Sequence, residues 1–586
     1  MNRQNILAIA LIYLVFLFFI FPSMRQCAEP PDKTVDAQTT TITSESKPEK
    51  EHLHKPVPLH ESTSAEIQTT TIQTNLLVLK LSNLSGGTIT SAKIIEKDLD
   101  GNLVYPNNFA DTRVVDMIPA GSAGNFSIRF ATLGDSLDLS SVPFISTEIN
   151  QGETVFVGEK PRTISFWTLL DSSIEIRRSF TFYPDRYYFD SSLDIDDPQG
   201  ILTGETYEIA WKSAPTQTEE NWKDNQSYTG SYILQGDEKP EKIMGKTNGD
   251  WFPAEGQRSV GQTRWIATRS KYFACAVVCD KNHPAKSGSV FGKSFENIEK
   301  IDGKPADKKF RISMFLDLLT LKHSEQNFQV YLGPLDFETI ENLDPSLTQI
   351  MSFGWPFFTW IGRGILWVLM KLHLLIGNYG LSLVVFAFLV KIVLYFPMQK
   401  SYSSMEKMKI IQPEINKLKE KYKKDAAGLQ RAQMELFKKH KVSPLGGCLP
   451  LLVQMPIFVS LFTVFRSTIV FRGESFLWID DLSLPDNLFN LPFSLPLLGD
   501  SFNLLPLLMV VSFVLQQKLS TAKTADSQQK MMMYMMPAVF FFLFYKISAG
   551  LNLYYVLFNV LTILQQKFVS GSVRGLKVQA SGPSSK

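Results

Sequence analysis

Apolar positions follow two contrasting patterns along this chain of 586 residues. Between residues 66 and 343, short runs rich in β-branched and aromatic residues alternate with turn-forming residues, and helical periodicity is scarce. Such runs are typical of β-strands, and a block of this length favours one large β-sandwich over two barrels. From residue 344 onward the chain is mostly apolar. The pattern predicts an α+β multidomain membrane protein, with a β-domain at residues 66–345 followed by a helical bundle.

Six apolar runs in the second half are candidates for membrane spans, because about 20 apolar residues in a helix cross the hydrocarbon of a bilayer. They cover residues 354–376, 377–398, 448–470, 495–519, 531–545 and 550–569. The loop at residues 399–447 carries twelve lysines and arginines against five acidic residues, and basic loops stay in the cytoplasm. With a cytoplasmic N-terminus and an external β-domain, a single crossing separates that domain from the loop.

Residues 354–376 are therefore assigned to the membrane interface rather than to a span. They contain three tryptophans together with Arg363, Lys371 and His373, a mixture typical of an interfacial amphipathic helix. Residues 377–570 then form a core with five transmembrane helices, and an N-terminal anchor completes a polytopic bundle of six. Both termini are predicted to be cytoplasmic.

The first 27 residues fit either an uncleaved anchor or a cleaved signal peptide. The residues after the apolar run, PSMRQC, are too bulky for a cleavage site, which favours the anchor. Residues 28–65 are rich in Pro, Thr, Ser, Glu and Lys and predict a disordered linker. Residues 571–586 form a short, weakly basic cytoplasmic tail.

Lys391 interrupts an otherwise apolar run at residues 381–398. A charge at the centre of a span costs roughly 2.5–3.5 kcal/mol on insertion scales, so it normally faces a polar cavity. The alternative is a side chain that reaches the interface, but a lysine stem covers about half of the roughly 13 Å to Lys400. Apart from Asp500 at the start of the fourth span, the spans contain no acidic residue, which also disfavours proton-coupled transport. The interpretation is a hydrated, positively charged groove that attracts acidic segments.

The basic loop contains its own helical pattern. Apolar residues stepping by three and four form a short coiled-coil seam at Met408, Ile411, Ile415, Leu418 and Tyr422. A turn at residues 424–428 and a returning helix at residues 429–442 predict a cytoplasmic helical hairpin within residues 400–447. It either contacts anionic lipid, ribosomal RNA or a client chain, or it only sets the topology.

Cys275 and Cys279 are four residues apart in a strand-like run. On a strand they would lie about 13 Å apart, which is too far for a disulfide. They resemble a metal-binding pair, but no second Cys/His pair follows at a suitable spacing. Buried thiols are predicted, with no metal and no cofactor.

Several motifs carry a family resemblance. Residues 443–456 read SPLGGCLPLLVQMP, residues 377–380 read GNYG upstream of Lys391, and residues 550–566 contain Asn559, Thr562 and a Gln pair. These motifs resemble those of the YidC/Oxa/Alb membrane protein insertases. The anchor and the large β-domain resemble the Gram-negative YidC type, whose periplasmic domain is a β-super-sandwich.

The resemblance implies a non-enzymatic insertase and chaperone of the cell inner membrane, with the β-domain in the periplasm. A hydrophilic groove, open to cytoplasm and lipid, would receive a client's polar segment, and the family's groove charge maps onto Lys391, where relatives commonly have arginine. We assign the groove wall to Gln454, Gln517, Asn559 and Thr562. A sliding surface for apolar client segments, for which plain packing is the alternative, is assigned to Met455, Phe458, Met535 and Met536. The implied partners are nascent membrane proteins, the SecYEG/SecDF translocon, a ribosome or the signal recognition particle with its receptor, and the phospholipid bilayer.

The sequence disfavours two other functions. A solute transporter would require inverted repeats or paired broken helices, and neither pattern is evident. The fold class of the β-domain also resembles that of sugar-mutarotating enzymes, but its His283 and His323 match no catalytic motif. An enzyme is therefore disfavoured, while binding of a partner protein or polymer by the β-domain remains open.

Overall fold

The computed structural model describes residues 66–580 except for 98–102, 105–114, 120, 123, 132–135, 147, 150–151, 171–172, 201, 203–205, 220, 237, 244–258, 302–303, 318–322, 352–355, 423–424, 441–448, 497 and 521–526. The predicted anchor at residues 1–27 and the predicted linker at residues 28–65 lie outside the described residues, as do residues 443–448 of the family motif. The chain divides into two compact units, one ending at Met351 and one that includes residues 352–586.

The first unit is rich in β-strands. Strands β1 to β10 are Thr69–Gln73, Leu77–Ser82, Thr88–Ile94, Glu96–Lys97, Leu103–Val104, Ser127–Ala131, Ser136–Asp138, Thr154–Phe156, Arg162–Leu170 and Ile174–Phe182. Strands β11 to β19 are Tyr188–Asp196, Thr206–Trp211, Gly230–Gln235, Glu241–Ile243, Ser259–Arg269, Phe273–Cys279, Ala285–Ile301, Lys304–Asp317 and His323–Pro334. Two short helices, α1 (Trp222–Tyr228) and α2 (Phe337–Leu343), accompany them.

Among the described residues these strands form a 13-stranded sheet and a four-stranded sheet. The large sheet runs β7-β6-β12-β18-β17-β15-β16-β19-β11-β10-β9, and off this path β13 pairs with β15 and with β14. The small sheet runs β3-β2-β1-β8, and β4 pairs with β5 in a separate two-stranded sheet. Arg178 on β10 donates to the carbonyl oxygens of Ser85, which follows β2, and of Phe126, which precedes β6. A buried guanidinium thus joins the two sheets. The predicted β-rich domain is confirmed, while its arrangement as a super-sandwich stays a prediction.

Alternating burial explains why these runs form strands. Along β10 the residues alternate between buried and less buried positions, so one face enters the core. Phe180 and Phe182 lie on the buried face and contact Phe189 on β11, with ring centroids 6.0 and 5.0 Å away. The central strand β16 is buried throughout, and its Cys275 and Cys279 are free and buried as predicted. Burial raises the pKa of the Cys279 thiol to about 12.

The second unit is mostly helical. Its helices α3 to α10 are Pro356–Ile376, Tyr379–Val393, Tyr395–Lys421, Ala426–Lys439, Leu449–Ser467, Leu504–Ser520, Ser527–Phe544 and Ala549–Ala580. A hairpin of strands β20 (Asn487–Leu495) and β21 (Gly499–Asn503) precedes α8. An apolar core joins α3, α4, α7, α8, α9 and α10, with Leu383, Leu461 and Tyr554 at its centre. The basic loop forms the predicted pair of helices, α5 and α6, and Ile411 and Ile415 pack against Leu436 and Phe437.

The structure moves several predicted boundaries. Residue 495 and residues 499–503, expected to lie at the start of a span, belong to strands β20 and β21, and α8 begins at Leu504. Pro496 and Gly499 account for this, because both residues disfavour a helix interior. Helix α10 continues to Ala580, inside the segment predicted as a tail. The compact β-rich unit extends to Met351 rather than to residue 345.

The described helices differ in whether they are long and apolar enough to cross a membrane. Of the described helices, Phe357–Ile376 alone is long and apolar enough to cross a membrane by these criteria. The apolar helices Tyr379–Val393, Val453–Ser467, Leu504–Leu519 and Met533–Phe544 are shorter. Six spans are therefore not confirmed. The helix that meets the criteria is also the one assigned above to the interface, so that assignment stays a prediction.

Candidate functional site

Lys391 lies on the inner face of α4, two residues before the helix ends at Val393. Lys391 is only 8% exposed, whereas the next residue, Ile392, is 67% exposed. The helix therefore turns its lysine toward the other helices and its aliphatic residues outward. This orientation is the opposite of what a lysine reaching for the membrane surface would adopt.

The Lys391 ammonium has a small set of neighbours. Its Nζ donates to Thr562 Oγ1 at 2.7 Å, and that hydroxyl in turn donates to the carbonyl oxygen of Phe558 at 2.7 Å. The same nitrogen lies 4.4 Å from the centroid of the Phe558 ring and 5.8 Å from that of Tyr402. Among the described residues Lys391 forms no ion pair. Within the described part of the chain the site is thus a buried cation held by one hydroxyl and two aromatic faces, without an acidic partner.

Helix α10 lines this site with polar groups. Asn559, Thr562 and Gln566 share one face at spacings of three and four, and all three are buried. Asn559 Nδ2 donates to Ser512 Oγ on α8 at 3.0 Å. Gln566 and Thr562 both lie within hydrogen-bonding reach of the Tyr402 hydroxyl. The face therefore links α4, α5 and α8 through polar contacts.

Of the four predicted wall residues, Thr562 contacts Lys391 directly and Asn559 lies one turn away. Gln454 on α7 has both amide atoms buried, within hydrogen-bonding reach of the Tyr554 hydroxyl. Gln517 on α8 is half-buried. Neither glutamine hydrogen-bonds Lys391.

The predicted sliding surface divides between exposed and packed residues. Met535 is exposed, and Met455 and Met536 are half-buried. Phe458 packs inward instead, with its ring centroid 5.8 Å from that of Phe544 and 5.4 Å from that of Tyr555. The structure thus leaves Met535 open to a partner and uses Phe458 mainly in helix packing.

Sequence reasoning missed Tyr402, Phe558 and Ser512. Tyr402 lies beyond the end of α4, on a separate helix that begins at Tyr395, so helical spacing from Lys391 could not place it. Phe558 is four residues before Thr562 and one before Asn559, and an aromatic residue at that position is an available signal. Among the described residues no cluster of His, Cys, Asp or Glu could hold a metal ion.

Comparison with known proteins covers nearly the whole chain. The families described as YidC periplasmic domain and as 60Kd inner membrane protein match residues 69–368 and 371–575. The membrane protein insertase YidC of Chlorobium limicola is 30% identical over 581 residues, which cover 98% of this chain and 95% of that protein. The chain belongs to the YidC family of membrane protein insertases.

The YidC relatives include that of Chlorobaculum tepidum, which is 31% identical over 86% of this chain and 82% of its own length. A solved structure described as an active YidC insertase with its first transmembrane domain resolved covers 86% of this chain and 93% of its own. Its sequence identity is 17% and its TM-score is 0.33. Membership of the YidC family confirms the resemblance found in the motifs. It also confirms the prediction of an inner-membrane insertase with a periplasmic domain, and not an enzyme.

Proposed function

We propose that this chain inserts integral inner-membrane proteins and helps them fold by receiving their polar segments beside Lys391. The observation that carries the proposal is a buried ammonium with a hydroxyl partner and no ion pair among the described residues. At 4 Å and an effective dielectric constant of 20, an incoming carboxylate would gain about 4 kcal/mol of Coulomb energy from this charge. An acidic client tail is the group that such a site favours.

The polar face of α10 and the buried Gln454 amide support a hydrated groove around the charge. The groove would open to the cytoplasm and to lipid, with Gln454, Gln517, Asn559 and Thr562 as its wall. Apolar client segments would leave it over the exposed Met535 and its neighbours Met455, Phe458 and Met536. The work would be done alone or beside the SecYEG/SecDF translocon. Clients would be delivered by a ribosome or by the signal recognition particle and its receptor.

The topology proposed with this function has six transmembrane helices, both termini in the cytoplasm and the β-rich domain in the periplasm. The basic helical hairpin α5–α6 then faces the cytoplasm, in agreement with the distribution of lysines. The acidic segment between α7 and β20, with Glu474, Asp480 and Asp481, then faces the periplasm.

The test is insertion of a small two-span client with an acidic periplasmic tail into vesicles that contain the purified protein. Lys391→Arg keeps the charge and should retain insertion, whereas Lys391→Ala and Lys391→Glu should reduce it. The matched control is Lys160→Ala, which removes an exposed lysine in the β-rich unit. A client whose tail acids are replaced by Asn and Gln should lose most of its dependence on Lys391. Equal insertion by the wild-type, Ala and Glu variants would contradict the electrostatic role.

A further inference from the structure

The β20–β21 hairpin is a fixed part of the helical unit. Its strands pair antiparallel, with Asn490 opposite Ser501 and Leu495 opposite Gly499. Two hydrogen bonds hold strand β21 to the turn between α9 and α10. Asn503 Nδ2 donates to the Tyr545 carbonyl oxygen at 2.7 Å. The Tyr545 hydroxyl donates to the Ser501 carbonyl oxygen at 2.7 Å. The hairpin is therefore positioned at the same end of the helices as that turn.

Strand β20 exposes apolar side chains on both of its faces. Leu488, Phe489 and Phe493 are 44%, 51% and 59% exposed, and a strand against water would normally alternate apolar with polar residues. Phe489 also stacks on Phe502 of β21, with ring centroids 4.8 Å apart. Asp500 is the one charged residue between positions 487 and 503. A surface of this kind is unfavourable in water and marks a site of contact.

Two observations identify a lipid surface as the partner. Helix α8 follows the hairpin directly, and its exposed residues Leu507, Val511 and Leu515 repeat every four positions, as expected of a helix face turned toward acyl chains. In addition, a Cβ built on Gly499 would lie 3.9 Å from Lys546 Nζ, so an exposed ammonium lies beside the tip of the hairpin. Aromatic rings next to a lysine suit the boundary between acyl chains and phosphate headgroups.

We propose that the β20–β21 hairpin lies in the interfacial layer of the bilayer, with Phe489 and Phe493 at the acyl boundary and Lys546 at the lipid phosphates. Under the topology proposed above, this is the periplasmic leaflet. The hairpin then fixes the depth of α8 in the membrane, because β21 is joined to that helix without a linker. It also holds the turn between α9 and α10 at the same level.

The experiment uses the full chain in phosphatidylethanolamine–phosphatidylglycerol vesicles. An environment-sensitive fluorophore is attached at Phe493→Cys, in a background in which Cys27 and Cys448 are replaced by Ser; Cys275 and Cys279 are buried. The matched control carries the label at Asp480→Cys, an exposed site in the same inter-helix segment. We expect lipid-borne nitroxide to quench the Phe493 label and iodide to leave it unchanged, with the reverse at Asp480.

Quenching of the Phe493 label by iodide, with no effect of nitroxide lipids, would overturn the proposal. Protection from both quenchers that disappears when the protein is diluted in lipid would also overturn it, because a second copy would then cover the hairpin. A label at Leu488→Cys repeats the measurement in case Phe493→Cys fails to fold. The readout requires no client, so it is independent of the outcome of the Lys391 insertion assay.

Discussion

Thr562 Oγ1 accepts the hydrogen bond that the buried Lys391 ammonium donates. Replacing this hydroxyl by a methyl group removes the acceptor. Thr562→Val keeps the shape of the side chain and deletes the acceptor 2.7 Å from Lys391 Nζ. A hydrogen bond to a charged group is worth about 1.5–3 kcal/mol. We therefore expect the free energy of unfolding to fall by that amount, as measured by thermal unfolding in detergent. Thr562→Ser keeps the hydroxyl and is the control. Equal stability of the Val variant and the wild-type protein would show that Lys391 has another acceptor.

Close helix packing at Gly550 provides a second test at the scale of one residue. A Cβ at this position would lie 2.3 Å from Cε1 of Phe465 on α7, so Gly550→Ala should destabilise the protein by about 1–3 kcal/mol through overpacking. At Gly364 on α3, an added Cβ would have no described atom within 4 Å. Gly364→Ala should therefore be neutral or slightly stabilising. Thermal unfolding of both variants measures the difference. An equal effect of the two substitutions would argue against the contact between α7 and α10.

The sequence predicts the helical hairpin α5–α6 from the spacing of its apolar residues. Substitutions at two neighbouring isoleucines test the packing between its helices. Ile411 is 1% exposed and Ile410 is 43% exposed. Ile411→Ala should destabilise the hairpin by about 2–5 kcal/mol, while Ile410→Ala should change it by less than about 0.5 kcal/mol. Limited proteolysis between the two helices reports the opening. Similar cleavage rates in both variants would contradict the observed seam.

The stability of the β-rich unit should depend on pH through Lys242 on β14. Lys242 on β14 lies 5.7 Å from the Tyr232 ring, and burial together with the charges of Arg269 and Lys308 lowers its pKa to about 8. The folded state therefore loses this proton before the unfolded state does, and stability should rise between about pH 8 and the pKa of a free lysine, about 10.4. Lys242→Met should abolish that rise. Thermal unfolding of the wild-type protein and of Lys242→Met across this pH range tests the prediction. The same pH dependence of stability in both proteins would contradict it.

Local patterns predicted elements better than they predicted contacts. Runs rich in β-branched and aromatic residues between turn signals identified the strands, and steps of three and four identified the seam at Ile411 and Ile415, because both signals depend on neighbouring residues. The β20–β21 hairpin was missed because its residues are as apolar as those of a span, and apolar content alone does not separate a short strand from a helix. Tyr402 was missed because its approach to Lys391 depends on how α5 leaves α4, which no local pattern encodes.

Helix α3 combines the length and apolarity of a membrane span with the composition of a helix in the membrane interface. It is long and apolar enough to cross the membrane, yet Trp360, Trp367, Arg363 and Lys371 are all exposed. Each cation facing hydrocarbon at mid-helix would cost about 2.5–3.5 kcal/mol on insertion scales. Tryptophan mixed with cations is instead favourable at the interface, where rings and charges both find partners. The exposed face therefore favours a helix that lies along the membrane surface.

This argument predicts the sides of the membrane on which three exposed positions lie. Cysteines placed at Lys160 in the β-rich unit, at Lys421 on α5 and at Asp480 after α7 can be labelled with a membrane-impermeant maleimide in cells with a permeabilised outer membrane. If α3 is interfacial, one crossing separates Lys160 from Lys421 and another separates Lys421 from Asp480. Lys160→Cys and Asp480→Cys should then react, and Lys421→Cys should react only after the inner membrane is opened. Joint labelling of Lys160→Cys and Lys421→Cys would mean that α3 and α4 both cross.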